Sequence, residues 1–168
     1  MRRIIVLAAC ALAACGQSND NDGGSTEAAK PAAATADSGS KACDILTAAD
    51  AKAVLGRDVK KLESSGGPAG LDLCQYSYDG ERMMDTGQAT VTLRPIDIGS
   101  LRQGVINEGY QAEPVPGLGD EAFWSKDAGL YVGKGNRTAI YLVGVGGEDD
   151  AANKRRALEL AKATVGRL

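Results

Sequence analysis

The chain has 168 residues, of which 43% are hydrophobic, 24% charged and only 4% aromatic, with a formal net charge of −3, four cysteines and no histidine. That length fits one domain with attachments. The missing histidine excludes Ser-His-Asp and Cys-His nucleophile systems and every histidine-liganded metal site, and past residue 15 no run of about 18 apolar residues offers a spanning helix.

Met1 to Cys15 has a basic start at Arg2 and Arg3, an apolar run from Ile4 to Ala14, and small residues before a cysteine. This is the pattern of a secretory signal. As a helix the run would be about 16 Å long, roughly half of a hydrocarbon core of about 30 Å, so it is too short for a permanent anchor. Leu12-Ala13-Ala14-Cys15 looks like a bacterial lipobox, which predicts a signal peptide over 1–14 and acylation of Cys15. Leu7-Ala8-Ala9-Cys10 fits the same pattern but leaves only Ile4 to Ala9 apolar, so Cys15 is preferred. Two or three acyl chains would hold the protein stably on a membrane. Gly16 rather than aspartate follows Cys15, which in a diderm cell implies the periplasmic face of the outer membrane, and otherwise the outer face of the plasma membrane.

Loss of Arg2 and Arg3 makes the mature chain more acidic by two charges, and no basic stripe remains to neutralise phosphates. Nucleic acid is not an expected partner. Between Gly16 and Lys41 the only apolar side chains are alanines, among Ser, Thr, Gly, Asn, Asp, Lys and Pro31. Such a segment cannot bury enough surface to offset its ordering entropy, so 15–41 reads as a lipidated, disordered tether of about 25–30 Å. Ser38-x-x-Lys41 imitates a serine-lysine acylase motif, but in a tether it has no fixed geometry.

Residues 42–168 form the expected globular domain, with Cys43 and Cys74 as its only cysteines. In an oxidising compartment these predict a disulfide, worth roughly 3–4 kcal/mol for a loop of about 32 residues. Two thiols without histidine do not complete a zinc shell, and their spacing is far from Cys-x-x-Cys. No metal or cofactor is expected.

Thr47 followed by Asp50 opens a helix carrying Ala51, Val54 and Leu55 and stopping at Gly56. Asp58 to Ser64 reads as a weak strand, Ser65 to Pro68 as a loop, and Leu71 to Tyr78 as a strand ending at the Asp79-Gly80 turn. Met83 and Met84 lie in a polar loop and suit either a groove with Tyr76 and Tyr78 or packing over a sheet edge. Ala89 to Arg94 alternates as a strand with one wet face. Ser100 to Gly109 reads as a helix with Leu101, Val105 and Ile106 on one side.

Strands follow at Ala122 to Ser125, Leu130 to Gly133 and Thr138 to Val145, the last two joined by a turn at Gly135-Asn136. Ala139 to Val143 is apolar at every position and belongs in the sheet centre. Asp149 or Asp150 caps a terminal helix from about Ala151 to Arg167, with a stripe of Leu158, Ala161, Val165 and Leu168 and with Lys154, Arg155, Arg156, Glu159 and Lys162 solvated. The pattern predicts an α+β fold: a mainly antiparallel sheet of about six strands with helices on one face, suggesting a helix-βββ pseudo-repeat plus a C-terminal helix.

Pro116 to Trp124 concentrates the only Phe, the only Trp and two acids. One reading makes Trp124 a stacking platform for a sugar or peptide, with Asp120 or Glu121 accepting hydrogen bonds. The other makes Phe123 or Trp124 a core anchor. Gly117-x-Gly119-x-x-Ala122 imitates a dinucleotide fingerprint but precedes a strand rather than a helix. The pairs Asp120/Glu121 and Asp149/Asp150 could in principle work on glycans, although neighbours on a strand face apart and one aspartate of the second pair is needed as a cap.

Cys43-Asp44-Ile45-Leu46-Thr47, Leu55-Gly56, Cys74-x-Tyr76 and Val115 to Ala122 occur in an order that resembles a family of bacterial lipoproteins best known from actinobacterial cell envelopes. The resemblance implies a lipid-anchored envelope domain with a disulfide, and it supplies no catalytic residue. The expected function is a non-enzymatic binding or accessory domain for an envelope protein or cell-wall component. A carboxylate-dependent wall hydrolase and a purely structural subunit are the alternatives.

Overall fold

A computed structural model describes residues 41–62, 71–82 and 85–168. The signal segment, Cys15, the tether up to residue 40, the loop at 65–68, Met83 and Met84 lie outside the described residues. The elements in chain order are α1 (Ala42–Ile45), α2 (Ala48–Leu55), β1 (Lys60–Leu62), β2 (Asp72–Asp79), β3 (Thr86–Arg94), α3 (Ile98–Asn107), β4 (Glu113–Pro114), β5 (Glu121–Ser125), β6 (Gly129–Lys134), β7 (Arg137–Val145) and α4 (Asp150–Thr164), closed by a 3₁₀ turn at Val165–Arg167.

Local chemistry sets the helix ends. Thr47 and Asp50 form a reciprocal capping box on α2, which stops at Gly56 with φ at 73°, a backbone geometry that costs glycine little. Asp97 caps α3 by accepting from the Ser100 amide at 2.9 Å. The helix therefore starts at Ile98, earlier than expected from Ser100. It buries Ile98 and Val105, while Ile106 turns outward at 46% exposure. On α4 the cap is Asp149, and the buried line is Ala157, Leu160, Ala161 and Thr164. Of the expected stripe only Ala161 is fully buried; Leu158, Val165 and Leu168 pack at its border.

The strands form one antiparallel sheet in the order β1-β2-β3-β7-β6-β5-β4. The fold is α+β, with β7 in the middle as its apolar run predicts. There are seven strands rather than about six, because the two-residue β4 pairs Glu113 with Trp124 and Pro114 with Phe123. Successive side chains alternate between faces. One face carries Cys74, Tyr76, Tyr78, Ala89, Val91, Leu93, Leu130, Val132, Ala139, Tyr141 and Val143, and is covered by α1, α2 and α4. Tyr76 and Tyr78 are thus core residues.

The expectation of helices on a single face needs correction. α3 packs on the opposite face, where Ile98 and Val105 meet Phe123 and Tyr131. Gly133 admits it: a Cβ there would stand 2.7 Å from Ile98 Cγ2. The strands β1-β2-β3 and β5-β6-β7 repeat as two meanders, but their helices do not. Because α3 covers only the β5–β6 end, Leu142 on β7 stays 40% exposed. The wet face of β3 is also drier than its alternation implies, since Thr90 is buried between Gln75 and Leu142 on the neighbouring strands.

Three ties fasten the helical layer. Cys43 and Cys74 are joined by a disulfide with Cα atoms 5.0 Å apart, and beside it the Ala42 amide donates to Asp72 Oδ2 at 2.8 Å. Arg156, expected to be solvated, forks onto Glu148 and donates to the Val54 carbonyl, linking α4 to the end of α2. Arg167 reaches Asp50 at 2.9 Å. Burial alone would push the Asp50 carboxyl up, but hydrogen bonds from Arg167 and Thr47 outweigh it and hold it below its ordinary 3.8.

Reduction of Cys43–Cys74, which spans 31 residues, should lower unfolding stability by about 3 kcal/mol in urea titrations with and without dithiothreitol. The Asp50 contribution is present above its unfolded pKa and is lost as pH falls through its lower folded value. In acid titrations below about pH 5, Asp50→Asn should therefore start less stable than the parent and lose less on acidification.

Candidate functional site

The acids and aromatics of the Pro116 to Trp124 segment do not form one site. β5 alternates, so Phe123 points to the α3 face and Trp124 to the α4 face. Phe123 is 1% exposed, with its ring stacked on Tyr131 at 4.4 Å between centroids and 10° between planes. It is a core anchor. Asp120 Oδ2 accepts from the Gly135 amide at 2.8 Å and so ties the loop before β5 to the β6–β7 turn. Glu121 pairs with Arg102 of α3 at 3.3 Å, with both side chains partly exposed. Each carboxylate has a structural partner, and neither lies beside Trp124.

Trp124 is half-buried in an open groove of ≈ 270 Å³ with Gln111, Glu113, Lys126, Asp150, Ala151 and Lys154. Three elements build it. The β4–β5 pairing sets Glu113 directly across from Trp124. The first turn of α4 brings Asp150 and, one turn on, Lys154. The chain leaving β5 supplies Lys126. Lys154 Nζ stands 5.8 Å from the Trp124 ring centroid and 2.6 Å from Glu113 Oε2. In the same groove Lys126 Nζ meets Asp150 Oδ2 at 3.0 Å, and this pairing raises the Lys126 pKa. The aromatic side chain therefore shares the groove with two ion pairs whose formal charges cancel.

A wider hollow of ≈ 540 Å³ lies at the far end of the sheet, over Leu62, Ser77, Gln88 and Gly144. Among the described residues its lining has one carboxylate, Asp79, no cation, and no tryptophan. It offers a ligand less to recognise than the Trp124 groove does. Among the described residues, no group of three or more Cys, Asp or Glu is placed to hold a metal ion. The chain matches no protein-family model, no curated protein and no solved structure in the comparisons made.

Sequence reasoning singled out Trp124 but missed its neighbours. Lys154 reads as a solvated helix position, and nothing in Glu113-Pro114 announces a strand. The one available signal was the pair Asp149-Asp150: once the first is spent on the cap, the second is left for another role.

If Asp120 is structural, Asp120→Ala should cost about 1 kcal/mol in chemical denaturation, by stripping the Gly135 amide of its acceptor. Glu121→Gln should stay within about 0.5 kcal/mol, as expected for an exposed pair.

Proposed function

We propose that this chain is a lipid-anchored recognition domain of the cell envelope, without catalysis of its own, that binds a cell-wall component or an envelope protein through the Trp124 groove. The observation that carries the reading is the sole tryptophan, half-buried in a groove that also holds two ion pairs, while Asp120 and Glu121 are committed to structural partners elsewhere. A carboxylate-dependent hydrolase needs two acids flanking one bond. Glu113 and Asp150 each already carry a lysine, and no described nucleophile-base pair accompanies them. The address rests on the sequence: the lipobox at Cys15, the polar tether behind it and the resemblance to actinobacterial envelope lipoproteins. Attachment is assigned to an acylated Cys15 on that sequence pattern alone.

In-cell photo-crosslinking from positions 111 and 126, read by mass spectrometry, tests this. A recurrent protein or wall adduct, lost in a Cys15→Ser chain, is the expected result. Adducts that appear from a remote position such as Lys61 but not from 111 or 126 would move the binding surface away from Trp124 and overturn the reading.

A further inference from the structure

We infer that the ligand of the Trp124 groove is a neutral glycan built of pyranose rings, a stretch of cell-wall saccharide. This deepens the recognition reading above and rests on it.

Charge comes first. Glu113 and Asp150 balance Lys126 and Lys154, each acid within 3.0 Å of its base. A polyanion would face both carboxylates, and a cationic peptide both ammonium groups. Either would meet one like charge for every opposite one, so neither gains a net Coulombic attraction from the groove. A neutral ligand leaves both pairs in place.

Spare hydrogen-bonding capacity comes second. An ammonium has three donors and a carboxylate about four acceptor positions, so one contact per pair leaves most of both unused, and Gln111 adds a donor and an acceptor. Hydroxyl groups give and take hydrogen bonds at once. A ring bearing several of them matches such a mixed wall better than an apolar or singly charged ligand does.

The floor and the size agree. An aromatic face is the negative side of the ring quadrupole, suited to the hydrogen-lined face of a pyranose. Lys154 Nζ lies over the ring at 5.8 Å from its centroid, within the roughly 6 Å of a cation–π contact, so a pyranose at the ring has the ammonium beside it as a hydrogen-bond donor. At ≈ 270 Å³ the groove falls just under the roughly 300–1,000 Å³ of sites that enclose a whole small ligand. An open groove of that size suits one repeat of a polymer whose chain continues past both ends.

The neighbouring sheet edge argues against an extended peptide. β4 has only two residues and one of them is Pro114, which has no amide hydrogen to donate. It offers no ladder to an added strand.

Trp124 is the only tryptophan, so its emission reports this groove alone. The full chain, held in detergent, is titrated with the linear tetramer of β-1,4-linked N-acetylglucosamine, with a linear glucose tetramer, and with the fully deacetylated, cationic form of the first. A saturable emission change with at least one neutral tetramer is expected, with the cationic tetramer binding about tenfold more weakly than its acetylated parent. Glu113→Gln, a change at an exposed side chain, should weaken the neutral ligand about tenfold while leaving the thermal transition in place. Flat titrations with both neutral tetramers, tighter binding of the cationic one, or indifference to Glu113→Gln would each overturn the inference. Flat titrations beside protein adducts from position 111 would remove the glycan and keep the recognition domain. Flat titrations with no adduct from 111 or 126 would remove both.

Discussion

The pairing of β3 with β7 is the constraint on which the rest of the domain depends. It runs from Gly87 against Val145 to Arg94 against Thr138 and joins two meanders that are otherwise local in sequence. Everything on one side of it is β1-β2-β3, and everything on the other is β7-β6-β5-β4. A slip of β7 by one residue in this ladder would invert it against β3, turning Tyr141 to the thinly covered side and Leu142 toward the helices. The register is fixed because Val91 and Tyr141 are buried under α1, α2 and α4, whereas Leu142 sits at the face that α3 leaves partly open.

That ladder also decides where the groove lies. α4 rests on β7 and β6, held there by Leu160, Ala161 and the bond between Thr164 and the Tyr141 hydroxyl. Arg156 of that helix and Arg167 of the 3₁₀ turn after it are then tied to α2 and its capping box. With the helix fixed along its length, its first turn is fixed too, and Asp150 and Lys154 stand over the β4–β5 edge. The groove residues are thus held by core packing on one side and by ion pairs on the other, as preorganised contacts require. Side chains that are already ordered lose little freedom when a ligand arrives.

The legible parts of the fold were those written in short-range chemistry. Thr47 with Asp50, Gly56, the alternation of Ala89 to Arg94 and the apolar run of β7 each carry a local signal, and the disulfide followed from two cysteines in a domain expected to be exported. The parts that were not legible depend on what lands opposite. Ile106 turned outward and Arg156 inward because neighbouring elements, not helical period, set which stripe is covered. α3 crossed to the second face because Gly133 leaves room for Ile98, which no periodicity records. The groove was half visible for the same reason. Trp124 stands out by rarity, whereas Lys154 gains its meaning only when α4 is laid across β6.

The adjacent pair Phe123-Trp124 shows how one strand serves two purposes. In sequence the two rings look like a single aromatic patch, and as a helix or loop they could have been one. On β5 they are divided by the pleat, Phe123 to the α3 cluster and Trp124 to the border of the main core. The stacked Phe123–Tyr131 pair fixes β5 against β6 from the side away from the groove. Trp124 can then remain half-exposed, because burying its second face is not needed to hold the strand. A large aromatic left partly open next to a satisfied core is surplus to folding, and it is the surplus, in a groove shared with two balanced ion pairs, that supports assigning the residue to recognition.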